Sequence, residues 1–236
     1  MLFTHYTRHI QNINKILTNG FAYIPNKREL ISNFLPLHDF SEREPQQFGM
    51  ISFTELPIGQ AQGPRKTFGN YGIVVSKEWA FSQQIQKVLY ISLNGPIFHS
   101  LYKLFQYSYD ELNNKSKLRE GEVSSMAFTN KERARIAGGM TYSYLLQLYE
   151  YMEPIANSYQ HEWRIVHQYP YYGYPKTKKE IIANVSPPKG WATILNVLKI
   201  EHQDIDSFIC PANEREKLKD VLPLKFQGKA INTFED

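Results

Sequence analysis

The chain has 236 residues, a single cysteine, an aromatic share of 14% and a formal net charge of +4. One cysteine excludes a disulfide framework and a cysteine-built metal site, and the length fits one domain, expected over residues 1–236. No 18-residue apolar run marks a membrane-spanning helix and Met1-Leu2-Phe3-Thr4-His5 lacks the basic start of a secretion signal, so a reducing cytoplasm is the expected location.

Leu2 to Tyr6 is a β-prone run. Thr7 is the expected N-cap of a helix with Ile10, Ile13, Ile16 and Leu17 on one stripe, and Asn19-Gly20 its stop, since glycine accepts the left-handed backbone of a helix end. Beyond Pro25 the period fades, which predicts a short helix over Arg28 to Phe34 and then an exposed loop suited to substrate contacts. Met50 to Leu56 reads as a strand that Pro57 ends, and Gly59 to Gly69 as a flexible Gln/Gly/Pro loop. Tyr71 to Val75 is the next strand, Ser76 caps a short helix through Trp79, and Val88 to Leu93 is a further strand. Residues 97–152 form a predicted helical insertion, with Phe98, Leu101, Leu104 and Phe105 and later Tyr144, Leu145, Leu148 and Tyr149 at helical spacing.

Glu162-Trp163-Arg164-Ile165-Val166 alternates polar and apolar side chains, the pattern of a strand with one buried and one open face. Tyr169 to Pro175 holds four tyrosines and two prolines, either an aromatic lid or a packed surface loop. Ile194 to Ile200 and Ser207 to Ile209 read as strands, Asn213 to Asp220 as a helix, and 225–236 as a loose tail. Basic residues cluster loosely at Pro64-Arg65-Lys66, at 131–135 and at 176–179, and each cluster reads as a solvated face rather than a nucleic-acid groove.

Several chemistries find no support. The seven histidines are scattered without an HExxH pair, no G-x-S-x-G elbow carries a serine nucleophile, and no Walker or dinucleotide-fold glycine pattern follows a strand, so no metal is expected. Cys210 lies in a β-prone run and reads as buried and inert. What remains is His5 on an early strand, Ser52-Phe53 on a middle strand, Glu162 on a late one, and abundant tyrosine.

His5-Tyr6-Thr7 followed by a helix ending in Asn19-Gly20-Phe21 resembles the opening of ADP-ribosyltransferases of the DarT and RNA 2'-phosphotransferase kind. Ile51 to Pro57, then Tyr71-Gly72-Ile73 with Lys77-Glu78-Trp79, then His161-Glu162-Trp163-Arg164, is similar to the AbiGi-type abortive-infection family of phage-defence proteins. The resemblance implies an α+β fold: a split, mostly antiparallel ADP-ribosyltransferase-like pair of sheets with the helical insertion in the middle of the chain. It also implies NAD as cofactor, cleavage of the nicotinamide–ribose bond, and transfer of ADP-ribose to a macromolecule, nucleic acid ahead of protein.

Under that resemblance Glu162 steadies the oxocarbenium-like sugar or deprotonates the acceptor, and His5 orients the adenosine-side ribose. Tyr71 stacks on nicotinamide, while Tyr6, Thr7, Ser52 and Phe53 belong to the cofactor-binding set, although Phe53 reads as core ahead of site. Arg164 either meets the pyrophosphate or simply pairs with Glu162. The tyrosine-rich loop serves the competing reading, a non-enzymatic antitoxin or phage-sensing protein that grips a partner protein. The usual His-Gly-Thr carries Tyr6 at its centre, a departure that leaves the acceptor open.

Overall fold

The computed structural model describes residues 2–25, 49–113, 144–145, 148–149, 151–166 and 197–235. Its strands in chain order are β1 (Phe3–Thr7), β2 (Phe21–Ala22), β3 (Ile24–Pro25), β4 (Gly49–Thr54), β5 (Tyr71–Val75) and β6 (Gln86–Lys87). β7 (Leu89–Ile91), β8 (Met152–Pro154), β9 (Glu162–Val166), β10 (Val197–Leu198), β11 (Ile205–Pro211) and β12 (Ala230–Phe234) follow. The helices are α1 (Ile10–Asn19), α2 (Gln62–Phe68), α3 (Lys77–Ser82), α4 (Pro96–Asn113) and α5 (Arg215–Val221).

β1 is largely buried on both faces and takes the middle of the main sheet, whose order is β12-β11-β5-β1-β4-β9-β6, with β3 added to β4. β1 pairs with β5 along its whole length, from Phe3 opposite Val75 to Thr7 opposite Tyr71. With β4 it keeps a single bridge, Thr4 opposite Thr54. The pairings are antiparallel except β11 with β12. Two short pairs flank the sheet, β2 with β10 and the parallel β7 with β8.

Period-two alternation sorts the side chains into two layers. Phe3, Ile73, Val75, Phe53, Ile165, Phe208 and Cys210 face α1, α3 and α5, where Ile10, Ile13, Leu17, Trp79 and Leu218 close the larger core. On the other face Tyr6, Val74, Ile209 and Phe234 pack with Ala61, Leu56, Ile58 and Phe68. A third cluster joins Ile91, Met152 and Val166 to Leu145 and Tyr149.

The outline is a mixed α/β protein with a mostly antiparallel sheet, the coarser part of what the resemblance implies, and three local expectations change. The segment read as a loop over Gly59 to Gly69 holds α2: Pro64 sits in its first turn, where its missing N–H has no helical partner to lose. Gly63 is there for close approach, because a Cβ at that position would lie 2.8 Å from the Tyr159 ring. The tail read over 225–236 instead supplies β12, which runs beside β11 from Ser207/Ala230 to Pro211/Phe234. Thr7 does not cap α1; His9 occupies that position, and Thr7 accepts a hydrogen bond from Asn12 at 2.7 Å. Ser76 does cap α3, accepting from the Trp79 N–H at 3.2 Å. The predicted helix at Arg28 to Phe34, the loop Tyr169 to Pro175 and most of the insertion beyond α4 lie outside the described residues. Among the described residues no helix is long and apolar enough to cross a membrane.

The placement of β12 gives a direct check. Phe234 is 9% exposed and packs with Tyr6, Val74 and Ile209, so Phe234→Ala should cost about 3 kcal/mol of unfolding free energy. Urea denaturation reads this; an unchanged midpoint would return the segment to a loose tail.

Candidate functional site

The site begins where the sheet parts. In the register set by Thr4 and Thr54, the next pairs of β1 and β4 would be His5 with Phe53 and Tyr6 with Ser52, and neither is formed. The His5 imidazole stands in for them: its Nδ1–H donates to the Ser52 carbonyl at 2.9 Å. That bond puts the ring proton on Nδ1 and leaves Nε2 as an acceptor. Phe21 and Phe53 meet the ring edge-on, with centroids at 5.1 Å and 5.8 Å. Burial among them lowers the imidazole pKa, more than the Ser52 carbonyl raises it, so the ring is held neutral.

The gap left by the missing pairs is a cleft of about 40 Å³ lined by Thr4, His5, Tyr6, Ser52, Phe53, Thr54, Phe68, Gln160 and Glu162. Five residues singled out from the sequence, His5, Tyr6, Ser52, Phe53 and Glu162, therefore converge on one place. Thr7, Tyr71 and Arg164 do not line it. Tyr71 lies farther along β5, where its hydroxyl donates to the Glu214 carboxylate. Burial first, and then Glu214, push that phenol up to about 12, while Tyr71 in turn holds the Glu214 carboxyl below its ordinary range.

Glu162 meets the cleft with its charge already committed. The Nε–H and Nη2–H of Arg164 donate to Glu162 Oε1 and Oε2, each at 2.9 Å, in the two-pronged geometry a guanidinium offers a carboxylate. Arg164 Nη2 also donates to Glu153 Oε1 on β8, and Glu153 Oε2 accepts from Asn157 at 3.0 Å. Burial works against the charged guanidinium, but the two carboxylates outweigh it and raise its pKa. All three side chains are below a tenth exposed. The polar face of β9, read as open, is thus buried; the i, i+2 alternation was right and the solvent assignment was not, because β8 and the turn after it cover that face.

Glu162 is fixed through its backbone as well. Its N–H donates to the Tyr90 hydroxyl at 2.8 Å, and its carbonyl accepts from Val88 at 3.0 Å. Just before it His161 takes a left-handed backbone, φ 45° and ψ 49°, which turns the chain so that the Gln160 carbonyl accepts from the Thr54 hydroxyl at 2.8 Å. Glu153, Tyr90, Thr54 and Gln160 were not singled out from the sequence. Glu153 alone leaves a trace there, an acid inside the short apolar run Met152-Glu153-Pro154.

The structure is that of a mixed α/β protein with a mostly antiparallel sheet, a narrow cleft at a parted strand pair and a closed acid–base cluster beside it. The chain belongs to the family described as "Putative abortive phage resistance protein AbiGi, antitoxin", whose model matches residues 26–187. No curated protein and no solved structure matches it.

This membership corrects the functional expectation. The family is described as an antitoxin, which overturns the NAD-consuming ADP-ribosyltransferase in favour of the competing reading. Glu162, beside the cleft, is tied to Arg164 by both oxygens. The fold stands as a mixed α/β architecture with a mostly antiparallel sheet, and nothing in it establishes the more specific transferase-like split sheet.

Two outcomes follow from the cluster and the imidazole. Arg164→Met leaves two buried carboxylates without their cation and should cost about 3–5 kcal/mol by urea denaturation. A loss below 1 kcal/mol would mean that the cluster contributes little to the fold. His5 has its pKa lowered by folding, so the unfolded chain binds the proton more readily; the stability tied to the neutral ring is present above about pH 6.5 and is lost as pH falls below it. His5→Asn, which keeps a donor for Ser52, should flatten the decline in stability between pH 6.5 and pH 5, measured as the difference from wild type; identical slopes would refute it.

Proposed function

We propose that this protein is a non-catalytic, antitoxin-type component of a phage-defence system that acts by binding and restraining a protein partner. The observation that carries the reading is the family match over residues 26–187 with its antitoxin description. The rigid support of Glu162 adds to it, because a carboxylate already neutralised by a neighbouring guanidinium is a structural group first.

A binding protein needs apolar anchors on a firm base. Phe81, Leu89 and Ile155 are about half exposed around the β6–β9 edge of the main sheet. Phe81 stands edge-on to Trp163 at 6.4 Å, with the Lys77 ammonium 5.9 Å from its ring centroid. These side chains are the first to substitute.

The test is co-expression with the protein encoded beside this one. A growth-arresting partner should lose its toxicity and co-elute with the full chain, and Phe81→Glu should weaken the complex at least tenfold if the anchor is correctly placed. Wild type and Glu162→Gln should both leave labelled NAD intact. NAD consumption that disappears in Glu162→Gln would sink the binding-protein reading.

A further inference from the structure

Arg65, read from the sequence as part of a solvated basic face, is only 9% exposed. An arginine is seldom buried so far without an acid against it, because removing a guanidinium from water is costly unless its charge is matched. Here it lies on the Phe234 ring, 3.7 Å from the centroid, and one Nη1–H donates to the Ile58 carbonyl at 3.3 Å. These contacts fix the plane of the guanidinium and, among the described residues, leave its remaining donors uncommitted.

Two further basic residues belong to this corner. Arg8 Nη2 donates to the Thr67 carbonyl at 3.1 Å, and Gly69 packs so closely on that corner that a Cβ would lie 2.4 Å from Arg8 Cα. Lys66 follows Arg65 on α2. Among the described residues no carboxylate forms an ion pair with Arg8, Arg65 or Lys66. Exposed cations near the carbonyl end of α2 are explained by the helix dipole; a buried unpaired one is not. The second observation is Tyr6, which packs in the same cluster as Phe234 and whose buried hydroxyl has no hydrogen-bond partner among the described residues.

We propose that this corner, where the end of β1 meets α2, binds a phosphate monoester. Two phosphate oxygens take the free donors of Arg65, a third accepts from the Tyr6 hydroxyl after a small side-chain shift, and Arg8 and Lys66 balance the rest of the charge from the rim. Three unmatched cations suit a dianion better than a carboxylate or a phosphodiester, each of which carries one charge. The site does not depend on the antitoxin reading.

Thermal unfolding of the full chain tests it, with inorganic phosphate, a nucleoside monophosphate, an oligonucleotide without terminal phosphate, and chloride at matched ionic strength. The midpoint should rise with the two monoester-type probes and not with the other two. The surface pair Arg8→Ala with Lys66→Ala should weaken the apparent affinity about tenfold or more without unfolding the protein. Tyr6→Phe should raise the ligand-free midpoint, since it removes an unpaired buried hydroxyl, and yet respond less to phosphate than wild type does. Chloride matching phosphate, or both variants responding as wild type, would overturn the site. An equal response to the oligonucleotide would replace it with a nucleic-acid backbone surface.

Discussion

The Arg164 guanidinium, held between Glu162 and Glu153, is the constraint on which the late half of the chain depends. Glu162 and Arg164 lie on β9 in the main sheet, while Glu153 lies on β8 in the small parallel pair, so one cation ties the two sheets together. Taking three charges out of water is costly and is offset only when every group is met by hydrogen bonds. That demand fixes the position of the turn between β8 and β9, including the left-handed backbone of His161. It also explains why Glu162 can border a cleft without being free to act there.

The parting of β1 from β4 is the complementary feature. An unmade ladder pair would normally leave backbone groups stranded, and the His5 ring answers part of that need by donating to Ser52. A side chain in place of a backbone donor opens the strands only slightly, and the resulting gap is small. Residues shared in pattern with NAD-using enzymes therefore meet at one point, yet their contacts there are structural: an imidazole bonded to a carbonyl and a carboxylate bonded to a guanidinium.

Much of the framework was legible in the sequence. Period-two alternation marked β9, β-prone runs marked β1, β5 and β11, the serine before Lys77 marked a real cap, and the helical stripe of α1 was visible in its isoleucines. The misreadings share a cause, which is that burial depends on partners distant in the chain. The polar face of β9 looked open because Glu153 is 11 residues away, Arg65 looked solvated because Phe234 covers it, and α2 looked like a loop because its glycine serves contact with Tyr159. Function was harder still: short motifs gave both the right family and an activity that the family's description does not support.

The order of strands has a kinetic meaning. Thr54 at the end of β4 is bonded to Gln160, 106 residues later, so the centre of the sheet cannot close until distant parts of the chain have found each other. Loop-closure entropy of that kind belongs to domains that fold in milliseconds to seconds rather than microseconds. Until then β4 presents an open edge and apolar side chains to whatever else is in the cell, and the interval between synthesis and closure is when this protein is most exposed to aggregation and proteolysis.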